Sequence, residues 1–242
     1  MQVSIEQQGN LARSHTPIKG MNEMMSEYDL PLVAASFLVA VLAAYAALFF
    51  GARLTNAKDR ERRKWLSAGA LLMGTGVWTM HFVGMRAMPM DVAMTFDVLM
   101  TAVSWLAAVV ASGIALHIIG RERLGASLFT GATLSMAGGI VVMHYLGMYA
   151  MRMSEPPTFN IGFLAVSIVI AVVASGVALA LCRKLQGMDG AGSLAIQFVA
   201  ALVMAAAICG MHYTGMMAMI FPEGAVPAAD NGLRGDWMGT PL

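Results

Sequence analysis

Six uninterrupted apolar segments constrain the fold of this chain more than any other feature of its sequence. Each segment has about the 20 residues that a helix needs to cross a hydrocarbon core of roughly 30 Å. Because the runs are continuous rather than alternating, they predict helices and not the strands of a membrane barrel. The predicted spans are Leu30–Gly51, Trp65–Met88, Asp97–Ile119, Ala126–Met151, Ile161–Cys182 and Leu194–Phe221. We therefore predict an all-α membrane domain over 30–221, between polar tails at 1–29 and 222–242.

The composition excludes several classes of protein. Charged residues make up 12% of the 242 residues, about half the fraction found in a soluble domain. The recurring apolar runs of 20 or more residues exclude a soluble globular protein. A net charge of +1 gives no basis for binding nucleic acid. The sequence contains no paired nucleophile and base and no phosphate-binding glycine loop, so we do not expect an enzyme.

Lysine and arginine are distributed unevenly between the loops on the two sides of the predicted bundle. The loops that follow the first, third and fifth spans contain ten of the fifteen basic residues. Such a bias is typical of the cytoplasmic side of a multi-pass protein. We therefore expect a multi-pass protein with both termini outside the cytoplasm.

Reporter fusions test this orientation. A reporter after Leu242 should be active outside the cytoplasm, and a reporter at Lys58 inside it, because Lys58 lies in a basic loop. The reverse pattern would contradict the predicted orientation and would place the motif described next at the cytoplasmic face.

A nine-residue motif occurs three times, at the ends of the second, fourth and sixth predicted spans. The copies are Met80–Met88, Met143–Met151 and Met211–Met219, and they share the pattern M-H-[FY]-x-G-M-x-A-M. The chain is therefore predicted to contain three tandem helical hairpins, each with the motif on its outgoing helix. At about 1.5 Å per residue, the three histidines lie roughly 24–27 Å along their helices, which places them at one depth near the outer boundary of the membrane.

Each motif presents a donor face and a packing face. At about 100° per residue, the methionines four and seven positions after the histidine share its face. The methionine before the histidine and the glycine three positions after it lie on a second stripe, where small residues allow helices to approach closely. The candidate metal ligands are His81, His144, His212, Met80, Met143, Met211, Met85, Met148 and Met216.

The donor types favour copper. Imidazole binds several metals, whereas thioether selects copper, chiefly Cu(I). Zinc would be expected to recruit cysteine or carboxylate, and haem needs two axial ligands, which leaves the threefold repetition unexplained. We expect one or two copper ions, with methionines that only pack as the structural alternative. His117 is not repeated, and we expect it to be an interface residue rather than a ligand.

Met211-His212-Tyr213-Thr214 and the two related copies resemble the MHYT domain, a bacterial integral-membrane sensor module. The resemblance covers roughly Leu30 to Phe221. It implies a location in the bacterial inner membrane, copper bound through Met, His and Tyr near the outer face, and sensing of oxygen, carbon monoxide or nitric oxide. It also assigns Tyr145 and Tyr213 to the cofactor site, whereas Phe82 replaces the tyrosine in the first copy.

Two functions follow from these patterns. One is a membrane sensor that passes its signal to a separate signalling or oxidase partner. The alternative is a copper-handling protein, a chaperone or insertion factor. The histidine and the two methionines four and seven positions after it place successive metal donors along one helix face, which suits metal transfer. A regulator or cyclase among the neighbouring genes would favour the sensor, and an oxidase or copper-resistance cluster would favour copper handling.

Overall fold

Six long helices dominate the computed structural model, which describes residues 28–54, 57–88, 94–121, 123–186, 191–222 and 233–234. Their bounds are α1 Leu30–Leu54, α2 Asp59–Arg86, α3 Val98–Ile119, α4 Ala126–Tyr149, α5 Ile161–Lys184 and α6 Ala191–Ala218. All six are long and apolar enough to cross a membrane. The predicted fold class is therefore confirmed.

Several helix ends differ from the predicted spans by one to six residues, and two of these differences have a clear physical reason. Helix α2 begins at Asp59 rather than Trp65, because the charged residues before Trp65 are mostly good helix formers and place Asp59 and Glu61 near the positive end of the helix dipole. Helix α6 ends at Ala218, because Met219–Ile220 leave the helix to form a short strand. Hydropathy detects the apolar part of a helix, not its charged extension or a terminal strand.

The helices form a closed ring in chain order. Each helix packs mainly against its two neighbours in the sequence, and α6 returns to pack against α1. In addition, α2, α4 and α6 touch one another, as do α1, α3 and α5. The three hairpins therefore surround a common axis in an approximately threefold arrangement.

Helices α1, α3 and α5 converge where they end. Gly51 on α1 faces Cys182 on α5 and Leu116 on α3, and a Cβ at Gly51 would overlap the Cys182 Sγ atom. The Gln186 amide donates to the carbonyl oxygens of Gly51 and Ile119, at 3.2 and 3.4 Å. We call this side, which carries the basic loops, the basic end, and the opposite side the histidine end.

Repeated backbone hydrogen bonds close each hairpin at the histidine end. The residue before the first helix of each hairpin donates its N–H to the carbonyl oxygen of the motif alanine, over 2.7–2.9 Å, and its side-chain oxygen accepts an N–H from the first turn of its own helix. The three pairs are Asp29 with Ala87, Asp97 with Ala150, and Asn160 with Ala218. The same backbone bond therefore recurs at the motif alanine of every hairpin.

Four short strands lie at the histidine end. Antiparallel pairs join β1 (Thr95–Phe96) to β4 (Leu233–Arg234) and β2 (Thr158–Phe159) to β3 (Met219–Ile220). The β4 strand belongs to the predicted polar C-terminal tail, and most of both predicted tails lies outside the described residues.

Candidate metal centre

His81, His144 and His212 come together at the histidine end, as their equal depth in the sequence predicts. All three side chains are buried, and among the described residues they form the one group of three His, Cys, Asp or Glu side chains placed to hold a metal ion. The Nδ1 atoms lie 3.1 Å (His81 to His144), 3.2 Å (His81 to His212) and 3.3 Å (His144 to His212) apart. The centre of such a triangle is about 1.8–1.9 Å from each corner, close to the roughly 2.0–2.1 Å of a zinc–imidazole bond.

The hydrogen-bonding capacity of the triad fits a bound cation. Each Nδ1 atom holds either one proton or one lone pair in the plane of its ring. A proton on one Nδ1 atom can be shared with only one neighbouring Nδ1 atom at a time, so hydrogen bonds cannot join all three pairs equally. A cation, in contrast, accepts a lone pair from each of the three atoms. The three Nε2 atoms are also buried and lack hydrogen-bond partners among the described residues. Unsatisfied buried groups cost about 1–3 kcal/mol each, and a cation at the Nδ1 atoms would fix the proton of each ring on Nε2 without removing this cost.

The motif glycines make room for the histidine rings. The His81 ring extends over Gly147, the His144 ring over Gly215 and the His212 ring over Gly84. A Cβ atom at any of these glycines would overlap the Nε2 atom of the ring. Beside its motif glycine, each hairpin therefore accommodates the histidine ring of the preceding hairpin. The first hairpin accommodates the ring from the third.

This arrangement corrects one sequence-based interpretation. The sequence pattern predicts close helix–helix approach at the motif glycines, but at these three positions the neighbour in contact is an imidazole. Close helix packing does occur at the glycine eight residues before the motif glycine, where Gly76 faces Ala43 and Gly139 faces Ala111. Substitution of a motif glycine would thus act directly on a candidate ligand.

The aromatic residue after each histidine packs edge-to-face against the imidazole. The ring centroids are 4.8 Å apart for Phe82 and Tyr213 and 4.9 Å apart for Tyr145. The Tyr145 hydroxyl is hydrogen-bonded to Ser167 at 2.6 Å, and the Tyr213 hydroxyl to Ser36 at 2.9 Å. The structure therefore shows the tyrosine rings in contact with the histidines and the hydroxyls paired with serines.

A different side chain compensates for the missing phenol in the first copy. Trp78, one turn before Phe82, donates its indole N–H to Ser104 over 3.1 Å. Its ring also contacts Phe82, with centroids 4.8 Å apart. The serine partner is thus retained in all three hairpins although the aromatic donor differs.

Three serines of this site were not predicted from the sequence. Ser36, Ser104 and Ser167 are buried, and each hydroxyl donates to the carbonyl oxygen three residues earlier in its helix. Each follows the capping Asp or Asn by seven residues, and an aromatic residue precedes each cap, which gives the pattern [FY]-[DN]-x6-S. A search for repeats outside the methionine–histidine motif would have found it.

The same aromatic residues link successive hairpins. Phe96 packs against Phe82, Phe159 against Tyr145, and Tyr28 against Tyr213, with ring centroids 5.1, 5.3 and 5.8 Å apart. In every pair the motif aromatic belongs to one hairpin and its partner precedes the first helix of the next. The triad is therefore surrounded by a closed series of contacts between hairpins.

The six candidate methionines are all buried but lie in two different clusters. Met80, Met143 and Met211 belong to the large apolar core of the bundle. Met85, Met148 and Met216 belong to a second cluster at the histidine end, which also contains Met94, Met151 and Met219. His117 is exposed near the end of α3 and does not join the triad.

A known family shares this repeated pattern. The family model described as "Bacterial signalling protein N terminal repeat" matches residues 18–67, 74–132 and 138–196. The chain belongs to the MHYT family. The segments 74–132 and 138–196 each begin on a motif helix and extend through the first helix of the next hairpin, so each contains one serine link and its aromatic pair.

Three curated relatives come from signalling systems. The chain is 42% identical over 219 residues to the bifunctional diguanylate cyclase/cyclic di-GMP phosphodiesterase MucR of Pseudomonas aeruginosa, covering 89% of this chain and 31% of MucR. It is 34% identical over 240 residues to the cyclic di-GMP phosphodiesterase NbdA of the same organism, covering 97% and 30%. It is 33% identical over 210 residues to the signaling protein YkoW of Bacillus subtilis, covering 85% and 26%.

The chain therefore spans less than a third of the length of these relatives. No solved structure matches it. The family and the relatives support a membrane signalling role for the MHYT region.

Proposed function

We propose that this chain is a sensor domain of the bacterial inner membrane whose histidine triad holds copper near the outer face. The observation that carries this proposal is the convergence of three buried Nδ1 atoms, each from a different hairpin. The relatives named as cyclases and phosphodiesterases align with this chain over less than a third of their length. We therefore assign their enzymatic activity to their other regions and expect none in this chain.

The neighbouring donors favour copper as the metal. Three imidazoles alone would also suit zinc, but Met85, Met148 and Met216 share the helix faces of the histidines and lie in a buried cluster beside them. Thioether is a soft donor that selects Cu(I). We propose that the triad holds one ion and that these methionines complete its coordination or hold a second.

Met80, Met143, Met211, Tyr145 and Tyr213 complete the proposed site. The methionines flank the histidines from the core cluster. The tyrosine rings lie against the imidazoles and are tied to the next hairpin through serines. Interactions of this kind around a ligand set its orientation, so these tyrosines fix the planes of His144 and His212.

In a sensor, a change at the metal site must alter the packing of the helix bundle. Because each histidine belongs to a different hairpin, a change in the spacing of the Nδ1 atoms shifts the hairpins relative to one another. Binding of oxygen, carbon monoxide or nitric oxide to the metal, or a change in its redox state, would supply that change. A signalling or oxidase partner would receive it.

One observation also favours the alternative of a copper-handling protein. Additional buried methionines, Met94, Met151 and Met219, lie in the same cluster as the candidate thioether ligands. A series of weak, soft donors suits transfer of Cu(I) from one protein to another. In that case copper would pass to an added acceptor protein without any effect of a diatomic gas.

Replacement of the thioethers tests the choice of metal. Leucine at Met85, Met148 and Met216 together should lower Cu(I) affinity by about tenfold and Cu(II) affinity by less, because the thioether is the softer ligand. Leucine nearly conserves side-chain volume, so packing should be retained. Affinity is measured by competition with a chelator for each oxidation state.

Three buried core methionines provide a matched control. Met73, Met136 and Met204 lie on the same three helices, outside the motif, in the large apolar core. Their triple replacement by leucine should leave both affinities unchanged. Equal losses in the two triple variants, or no loss in either, would show that the motif methionines only pack.

A further inference from the structure

A cleft at the basic end lies between the start of α2 and the end of α3. It has a volume of about 210 Å³ and is lined by Asp59, Arg62, Arg63, Leu66 and His117. It is separated from the histidine triad by the length of the helices. Nothing in the proposed metal chemistry uses these residues.

The cleft carries two guanidinium groups in different situations. Arg62 is half-buried and donates to the carbonyl oxygens of His117 and Gly120, both at 3.4 Å, so it is anchored on the end of α3. Arg63 and the His117 imidazole are exposed, and no described residue forms a hydrogen bond or ion pair with either side chain. Two cationic groups and a histidine therefore face a single carboxylate, that of Asp59.

The position of the cleft relative to the membrane restricts its ligand. Leu66 lines it, and the apolar part of α2 begins beside it at Trp65. Large exposed apolar side chains continue along the same two helices, at Leu72, Val110 and Ile114. A ligand in this cleft thus meets positive charge where the apolar surface begins.

We propose that this cleft binds the phosphodiester headgroup of an anionic phospholipid, with phosphatidylglycerol as the best match. Guanidinium groups hydrogen-bond phosphate oxygens in a planar, bidentate geometry, and the Asp59 carboxylate is placed to accept a hydrogen bond from a headgroup hydroxyl. Basic pockets between membrane helices on the cytoplasmic side bind anionic headgroups in this way. The site requires no metal, so it stands apart from the proposed copper function.

Native mass spectrometry of the full chain in neutral detergent tests the proposal. With equimolar phosphatidylglycerol and phosphatidylcholine, the parent should retain phosphatidylglycerol preferentially. Arg63→Gln combined with His117→Gln should lower the affinity for the first phosphatidylglycerol by about tenfold, because the charge and bidentate donor geometry of Arg63 and the imidazole of His117 are lost. Arg62 is left intact because it also anchors α3.

The matched control is Arg60→Gln combined with Lys64→Gln. These exposed side chains flank the cleft on the same helix but do not line it, and the affinity should change less than about threefold. An equal loss in the control would overturn the site in favour of general surface attraction. Retention of phosphatidylcholine as strongly as phosphatidylglycerol, or displacement of the lipid by millimolar inorganic phosphate, would also overturn it. Copper content of the same samples should be equal in all variants.

Discussion

Replacing His81, His144 and His212 together by alanine should abolish copper retention by the purified chain. Imidazole is the strongest neutral donor in the cluster, and isolated thioethers hold copper weakly. Loss of outer partners of a metal ligand costs about 10–100-fold in affinity, so loss of three ligands should exceed 100-fold. Metal content after gel filtration and competition with chelators measure the effect.

His117→Ala is the control for this experiment. His117 is exposed near the end of α3 and lies outside the triad, so copper content should equal that of the parent. Helical circular dichroism and elution volume establish that the triple variant is folded. A folded triple variant that binds copper as the parent does would refute the assignment of these histidines as ligands.

Gly147→Ala should remove copper although glycine offers no ligand atom. The added Cβ would overlap the Nε2 atom of His81, and the buried ring would have to leave its position in the triangle. Overpacking of a dense interior also costs about 1–3 kcal/mol of stability. We expect copper loss comparable to that caused by His81→Ala, together with a lower unfolding temperature.

Gly138→Ala provides a control on the same helix. A Cβ at Gly138 would meet nothing within 4 Å, and alanine favours a helix interior by about 0.5–1 kcal/mol over glycine. This variant should keep its copper and be at least as stable as the parent. Combining Gly147→Ala with His81→Ala should destabilise the chain by less than the sum of the two single changes and should not restore copper, since the clash would be gone. Full copper content in Gly147→Ala alone would contradict the proposed contact between this glycine and the ligand ring.

Because the hairpin and its motif are repeated three times, the helices and the convergence of the histidines could be predicted from the sequence. Continuous apolar runs predicted six helices, and the equal depth of His81, His144 and His212 predicted that they converge. Both inferences depend on distances along a helix, which sequence spacing determines directly. The identity of the candidate ligands follows from them.

Contacts between hairpins were harder to predict, because spacing does not show which helices become neighbours. Gly84 receives the ring of His212, from the far end of the chain. Trp78 donates the hydrogen bond to Ser104 in the first copy, because Phe82 lacks a hydroxyl. A comparison of aligned motif positions cannot detect this change of donor. Two-residue strands such as Thr158–Phe159 are too short to show an alternating pattern.

The closure of the ring between α6 and α1 also has a consequence for biosynthesis. A chain synthesised from its N-terminus places His81 and His144 in the membrane first, while the place beside Gly84 still awaits the ring of His212. A nascent chain therefore carries two imidazoles and an open glycine surface until the last hairpin has inserted. In the proposed metal centre, capture of an ion by all three imidazoles would be possible only after that point, so metal loading would follow insertion of the third hairpin.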